Sequence, residues 1–256
     1  MSQQDPTLSV TVDGARADIM LNRPERLNAF TLQAIHNLSA AIDEIATDDN
    51  IRIVTLRGAG RAFSTGVDLK ELPSDGFGGE RVQAWEQMLR YIETMEKLVI
   101  CYIHGYAVGG GLQLALACDI RVAVASARVG LPASKEGIIP GLATYRLARY
   151  VGVGRAKQLI YLGNLISAVE GERIGLLDHL LADEDSDNGF EQVVAQYAAS
   201  FSAGGRNAKA LLADCFNKDF AEFMSLYEQQ QAKAVASPDF AEAQAAYREG
   251  RDANWQ

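Results

Sequence analysis

The sequence holds three cysteines, Cys101, Cys118 and Cys215, and no two share the close spacing of a metal-binding pair. That excludes a disulfide framework or a zinc ribbon as the organising device. Cys101 and Cys118 lie in apolar runs and read as buried, reduced thiols. No apolar stretch approaches the roughly 20 residues needed to span a bilayer. The opening MSQQDPTLSV lacks both the basic and the apolar segment of a secretory signal, so the expected compartment is the cytoplasm. Basic residues are outnumbered: 24 Lys and Arg against 33 Asp and Glu give a formal net charge of −9. Such a balance argues against a nucleic-acid-binding or anionic-membrane surface, and an anionic ligand would need a local basic patch. His36 and His179 have no constellation around them, no Ser/His/Asp or metal set emerges, and no internal repeat or low-complexity tract is visible.

What is there is ordinary globular material, 256 residues that are 48% apolar and 22% charged, enough for a large buried core. Leu8–Val12 and Ala17–Leu21 alternate around Asp13-Gly14, the signal of a β-hairpin. Leu32, Ile35, Leu38, Ile42 and Ile45 recur at helical spacing behind Thr31, a candidate N-cap. Arg52–Arg57 reads as a short strand, and Ser74–Glu80, polar and rich in glycine, as a mobile loop. An amphipathic helix is predicted over Val82–Leu98, with strands over Val99–Ile103 and Ile120–Val124. Strands and helices alternate to about residue 165, the pattern of an α/β domain with right-handed crossovers. Ser167-Ala-Val-Glu170 has the form of a capping box. Beyond the acidic stretch Asp183–Asn188 the chain reads as helix throughout. The expected division is therefore an α/β core over 1–189 and an all-helical region over 190–256.

The most informative run is His104-Gly-Tyr-Ala-Val-Gly-Gly-Gly-Leu-Gln113, continuing to Asp119. It reads as a strand, a triple-glycine turn (Gly109, Gly110, Gly111) and a helix of small and apolar residues. Glycines let a ligand approach the backbone closely. A helix start leaves N–H groups free, with the positive end of the dipole behind them. Such a place suits an anion, or an oxygen that becomes one during a reaction. A second glycine-bearing loop, Phe63–Asp68, also follows a strand. If the two strands are neighbours, the N–H groups of Val67 and Gly110 can converge on one oxygen, as an enolate or a tetrahedral oxyanion of a thioester requires.

These motifs, in order, resemble those of the crotonase (enoyl-CoA hydratase/isomerase) superfamily. The matching pieces are Asn22-Arg-Pro-Glu-Arg-Leu-Asn28-Ala-Phe30, Ala62-Phe-Ser-Thr-Gly-Val-Asp68-Leu, His104–Asp119, Gly137-Ile-Ile-Pro140-Gly141 and Gly171-Glu-Arg-Ile-Gly175-Leu-Leu. They span about residues 8–182, and the C-terminal helices match more weakly. The resemblance implies a spiral of ββα units with a C-terminal helical trimerisation region, assembled as a homotrimer or a hexameric dimer of trimers. It implies an acyl-CoA or related pantetheine thioester as substrate, CoA entering with the substrate and no separate cofactor or metal. It places the thioester carbonyl on the N–H groups of Val67 and Gly110, and Arg26, Leu27, Arg61 and Thr65 along the CoA. Arg61 suits the phosphates, because guanidinium meets them in a fork.

The sequence departs from the family's hydratase pattern at two places. Hydratases of this kind carry glutamates where this chain has Gln113 and Ala133. An amide can hydrogen-bond water but cannot take its proton, and a methyl can do neither; each acid/base group is worth about 100- to 10,000-fold in rate. The loop from Gly141 through Tyr145 and Arg146 is also one residue short of the usual length. Among replacements, Glu136 is the nearest carboxylate. Glu71 and Tyr145 are read more simply as an exposed helix residue and a packing tyrosine, His104 as a structural residue on the strand, and Asp68 as a cap. The expectation is chemistry for which enolate stabilisation suffices, isomerisation or decarboxylation, rather than standard hydration. The rival expectation is a catalytically silent acyl-CoA-binding or accessory subunit. A thioester hydrolase would need a water-activating carboxylate from Glu136 or Glu71.

Overall fold

The computed structural model of the protein describes residues 7–71 and 79–255. Two strands open the chain, β1 (Leu8–Asp13) and β2 (Arg16–Leu21). They form the predicted hairpin, with Leu8 opposite Leu21 and Asp13 opposite Arg16, and Gly14 takes φ +54° at the turn. Helix α1 (Leu32–Thr47) begins at Thr31, whose side chain accepts the Ala34 N–H. It buries Ala34, Ile35, Leu38, Ile42 and Ile45, the stripe its 3.6-residue period lays on one face.

Strand β3 (Ile53–Gly58) leads through the loop 59–68 to α2 (Glu80–Thr94). The predicted loop over 74–80 falls mostly outside the described residues, with Glu80 already opening α2. That helix ends four residues before Leu98, because Leu98 is needed as the first residue of β4 (Leu98–Ile103), opposite Ile53. The next elements are β5 (Tyr106–Val108), α3 (Gly110–Ala117), β6 (Ile120–Val124) and β7 (Arg128–Gly130). His104 follows β4 rather than lying within it.

The chain continues through α4 (Ala143–Leu162), β8 (Ile166–Ser167), α5 (Ala168–Arg173) and β9 (His179–Leu181) to four helices. These are α6 (Ser186–Ser200), α7 (Ala203–Asp214), α8 (Phe220–Val235) and α9 (Pro238–Glu249). Half of the expected capping box forms at α5: Ser167 accepts the Glu170 N–H, while the Glu170 carboxylate turns to Arg173. Helix begins inside the acidic stretch rather than beyond it, with Ser186 opening the first turn of α6.

The strands make a six-stranded sheet in the order β1-β2-β3-β4-β6-β9 and a three-stranded sheet β5-β7-β8. From β2 to β9 the large sheet is parallel. Its central strands are buried on both sides, β4 at every residue, as parallel strands covered by helices must be. This is the expected α/β architecture with C-terminal helices. The small sheet matters for function. β5 pairs in parallel with β7 and carries the triple-glycine turn. Cys101 and Cys118 are buried free thiols and Cys215 is an exposed one. No helix among the described residues is long and apolar enough to cross a membrane.

Candidate active site

Three backbone segments meet at the carboxyl ends of β3 and β4. The first is the turn after β2. Leu27 and Asn28 both adopt left-handed backbone, at φ +50° and +55°, and bring the Asn28 side chain inward. Its amide donates to the carbonyls of Ala59 (2.9 Å) and Ala62 (2.8 Å), and its oxygen accepts the Arg23 N–H at 2.9 Å. The second is the loop 59–68. Ser64 is fully buried, donates its hydroxyl to the Asn28 carbonyl at 2.8 Å and accepts the Gly66 N–H at 3.1 Å. The third is the segment 104–111, bonded to the loop by Ser64 N–H to Tyr106 O and Val108 N–H to Ser64 O, both 3.0 Å.

This lacing brings Val67 and Gly110 together. A Cβ built on Gly110 would lie 3.5 Å from the Val67 nitrogen, and one on Gly66 would lie 2.5 Å from the Gly110 nitrogen. Gly66 has φ +88°, so both conformation and space require glycine there. Gly110 is the first residue of α3, where backbone N–H groups have no partner within the helix. Neither the Val67 nor the Gly110 N–H has a hydrogen-bond acceptor among the described residues. Two adjacent donors at a helix start can hold one oxygen and stabilise charge developing on it. Gly111 is needed for the approach itself, since a Cβ there would stand 2.1 Å from the Ser64 carbonyl oxygen.

Of the residues expected along a CoA, Leu27 and Thr65 are brought together: Thr65 donates its N–H to Leu27 O at 3.1 Å. Arg26 and Arg61 are exposed at the rims of their turns. Asp68 is buried, accepts the Lys70 N–H at 3.3 Å and pairs with Arg23 at 3.3 Å, the capping role expected of it.

Gln113 lies one turn into α3, only 7% exposed, and its amide oxygen has no hydrogen-bond partner among the described residues. Ala133 is buried in the short turn Pro132–Glu136, next to the β7 end whose Gly130 carbonyl accepts the Gly109 N–H at 2.9 Å. Glu136 ends that turn and is exposed. Tyr145 donates its hydroxyl to Asn217 at 2.7 Å, and Arg149 stacks on its ring at 3.2 Å, so it packs as expected. Glu71 closes a short 3-10 turn, and its side chain lies outside the described residues. His104 keeps its Nε2 3.1 Å from the Gly60 carbonyl, and burial pushes its pKa below the ordinary value. A neutral ring donating from Nε2 to that carbonyl fits the structural role expected of it.

Two site residues went unnoticed in the sequence. Trp85 and Glu86 stand on α2 beside α3; the Trp85 ring lies 3.4 Å from a Cβ built on Gly110. The Glu86 carboxylate accepts the Leu142 N–H at 3.0 Å and pairs with the buried Arg146 at 2.6 Å. Arg146 reaches Glu93 on the same helix at 2.5 Å. A faint signal existed: Glu86 and Glu93 are seven residues apart, two helical turns, at the border of an apolar stripe. Their cation sits some sixty positions away and cannot be inferred from periodicity. No group of three His, Cys, Asp or Glu among the described residues could hold a metal ion.

A mostly parallel α/β sheet that joins two glycine loops into a pair of free N–H donors defines the class: a protein whose backbone can polarise an oxygen. Comparison with known proteins makes the assignment specific. The family profile of enoyl-CoA hydratase/isomerase matches residues 13–256. YngF of Bacillus subtilis, whose name carries the same hydratase/isomerase description, is 37% identical over 240 residues, covering 92% of each chain. The crotonyl-CoA hydratase of Syntrophomonas wolfei is 31% identical over 247 residues, covering 93% of this chain and 94% of that one. The crystal structure of enoyl-CoA hydratase from Bacillus anthracis superposes with a TM-score of 0.89 at 32% identity, over 97% of this chain and 98% of the other. The chain belongs to the enoyl-CoA hydratase/isomerase, or crotonase, family.

Proposed function

We propose that the protein acts on an acyl-CoA or related pantetheine thioester by stabilising its enolate, in isomerisation or decarboxylation rather than standard hydration. The observation that supports this reading is the meeting of the Val67 and Gly110 N–H groups, neither with an acceptor among the described residues. A thioester oxygen received there gains negative charge as a proton or carbon dioxide leaves the α-carbon, so donors fixed in advance lower that barrier selectively. Arg26, Leu27, Arg61 and Thr65 then line the CoA, with Arg61 suited to its phosphates.

Hydration by two glutamates asks for a carboxylate at each of the positions held by Gln113 and Ala133. Decarboxylation needs no base to form the enolate. Isomerisation needs one proton carrier, for which Glu136 is the candidate nearest in sequence. The same two substitutions favour the second reading, an accessory subunit that binds acyl-CoA without turnover. Retention of both oxyanion loops weighs against it.

Mass spectrometry of enoyl-, malonyl-type and β-keto acyl-CoAs incubated with the purified protein tests the reading. The expected result is a shifted double bond or loss of carbon dioxide. Gain of water as the main product, or no change in any thioester despite CoA binding, overturns it. Gly110→Pro removes one oxyanion donor at the helix position that best tolerates proline. It is expected to reduce turnover at least about 100-fold; unchanged turnover would remove Gly110 from the site.

A further inference from the structure

Gly141 has φ +50°, and the space beside its Cα is occupied from two sides. A Cβ built there would stand 3.0 Å from Gln113 Oε1 and 3.0 Å from Glu86 Oε1. Two acceptor oxygens from different helices therefore converge on one small gap. The Gln113 oxygen is buried and has no donor among the described residues. Glu86 Oε1 receives the Leu142 N–H at 3.0 Å, and a carboxylate oxygen has room for a second donor. The Glu86 side chain is 14% exposed. An oxygen without a partner in such a place is destabilising unless something donates to it.

The gap adjoins the oxyanion donors. Gln113 follows Gly110 by one turn of α3 and so lies on the same side of that helix. Trp85, the neighbour of Glu86 on α2, has its ring 3.4 Å from a Cβ built on Gly110. The geometry points to Glu86 as the acid/base group of this site, working beside Gln113 in the gap over Gly141, with the α-carbon of a bound acyl thioester as its proton donor. The assignment rests on the enolate reading given above. In the step, the Glu86 carboxylate takes a proton from the α-carbon as the C–H electron pair moves into the thioester carbonyl. The enolate oxygen rests on the Val67 and Gly110 N–H groups. The reverse transfer returns the proton to carbon, and no oxidant or further reactant is consumed. Arg146 neutralises the other carboxylate oxygen and fixes its direction, while the amide of Gln113 accepts from a water or substrate donor in the gap.

Exchange of the α-hydrogens of 3-butenoyl-CoA in heavy water, followed by mass spectrometry, reads this step directly. The wild-type protein is expected to incorporate deuterium, and Glu86→Gln to slow incorporation about 100-fold or more with CoA binding by calorimetry unchanged. Glutamine still accepts the Leu142 N–H, so a role limited to holding that loop would survive the substitution. Gly141→Ala leaves Glu86 and its ion pair in place but puts a methyl in the gap; it too is expected to slow exchange. Wild-type exchange rates in Glu86→Gln or in Gly141→Ala overturn the assignment of Glu86 and leave the enolate reading standing. So does loss of exchange in Glu136→Gln while Glu86→Gln still exchanges. A wild-type protein that binds CoA yet exchanges nothing overturns the assignment of Glu86, and it overturns the enolate reading as well where malonyl-type thioesters also keep their carbon dioxide.

Discussion

Asn28 shows how one side chain can set a site it does not enter. Its amide ties two carbonyls of the loop 59–68 to the turn after β2, and it can do so because its own backbone takes the left-handed conformation. Asparagine tolerates that region better than most residues. Replacement by alanine leaves the carbonyls of Ala59 and Ala62 without their donor and the Arg23 N–H without its acceptor. At typical costs for orphaned buried groups, Asn28→Ala is expected to lower stability by about 2–4 kcal/mol, measurable by urea unfolding. A loss below about 1 kcal/mol would mean that water replaces the amide freely. The sequence placed Asn28 within a family motif, yet nothing in the motif assigned it this work. The two carbonyls it holds lie more than thirty residues away, and hydrogen bonds of that range leave no periodic trace.

At the scale of elements, the helix starts and the hairpin were legible because their causes are local. Thr31, Ser167 and Asp13-Gly14 act on backbone within three residues of themselves. The end of α2 was not legible, since the pairing of Leu98 with Ile53 decides it. The last element shows the same contrast. Helix α9 is closed by Arg251, which reaches back to Glu242 at 2.6 Å, and Asn254 donates its N–H to the same carboxylate at 2.8 Å. These two contacts pull the Glu242 carboxyl down to about 2 from an ordinary value of 4.5. A depressed carboxyl contributes its stabilisation above the ordinary value and loses it as pH falls through the depressed one. The tail should therefore loosen between about pH 4.5 and 2. Trp255, whose indole N–H donates to Ala199 O at 2.7 Å, reports the change by fluorescence. Glu242→Gln is expected to lack this component; an identical pH profile in the variant would show that the clamp does not hold the tail.

Across the whole molecule, the C-terminal helices are fastened to the sheet. Phe190 of α6 is fully buried against Tyr102, with ring centroids 5.0 Å apart. Lys209 of α7 reaches Asp119 at 2.7 Å and the carbonyls of Lys97 and Ile92 at 2.7 and 3.0 Å. The other side of these helices is left apolar and open: Leu212 and Phe216 are each 71% exposed, and Phe220 is 85% exposed. Such a surface fits the oligomer implied by the family resemblance, since burying one large side chain is worth about 1.5–3 kcal/mol. Light scattering is expected to give a mass that is a multiple of three chains, and Phe216→Asp with Phe220→Asp to lower it. A wild-type monomer would refute the trimer.

By itself the sequence determined what depends on neighbours along the chain: the alternation of strand and helix, the caps, and two glycine loops whose backbone must be approached closely. It also showed an amide and a methyl, Gln113 and Ala133, where the family resemblance leads one to expect carboxylates. Only the tertiary structure decided which groups share a space. It joined Val67 to Gly110 through the parallel pairing of β3 and β4, and it carried Glu86 from α2 to the orphaned oxygen of Gln113. The physical reason is reach. Caps and periodicity act over a few residues, whereas a site is a meeting of side chains and N–H groups brought together by folding from distant parts of the chain.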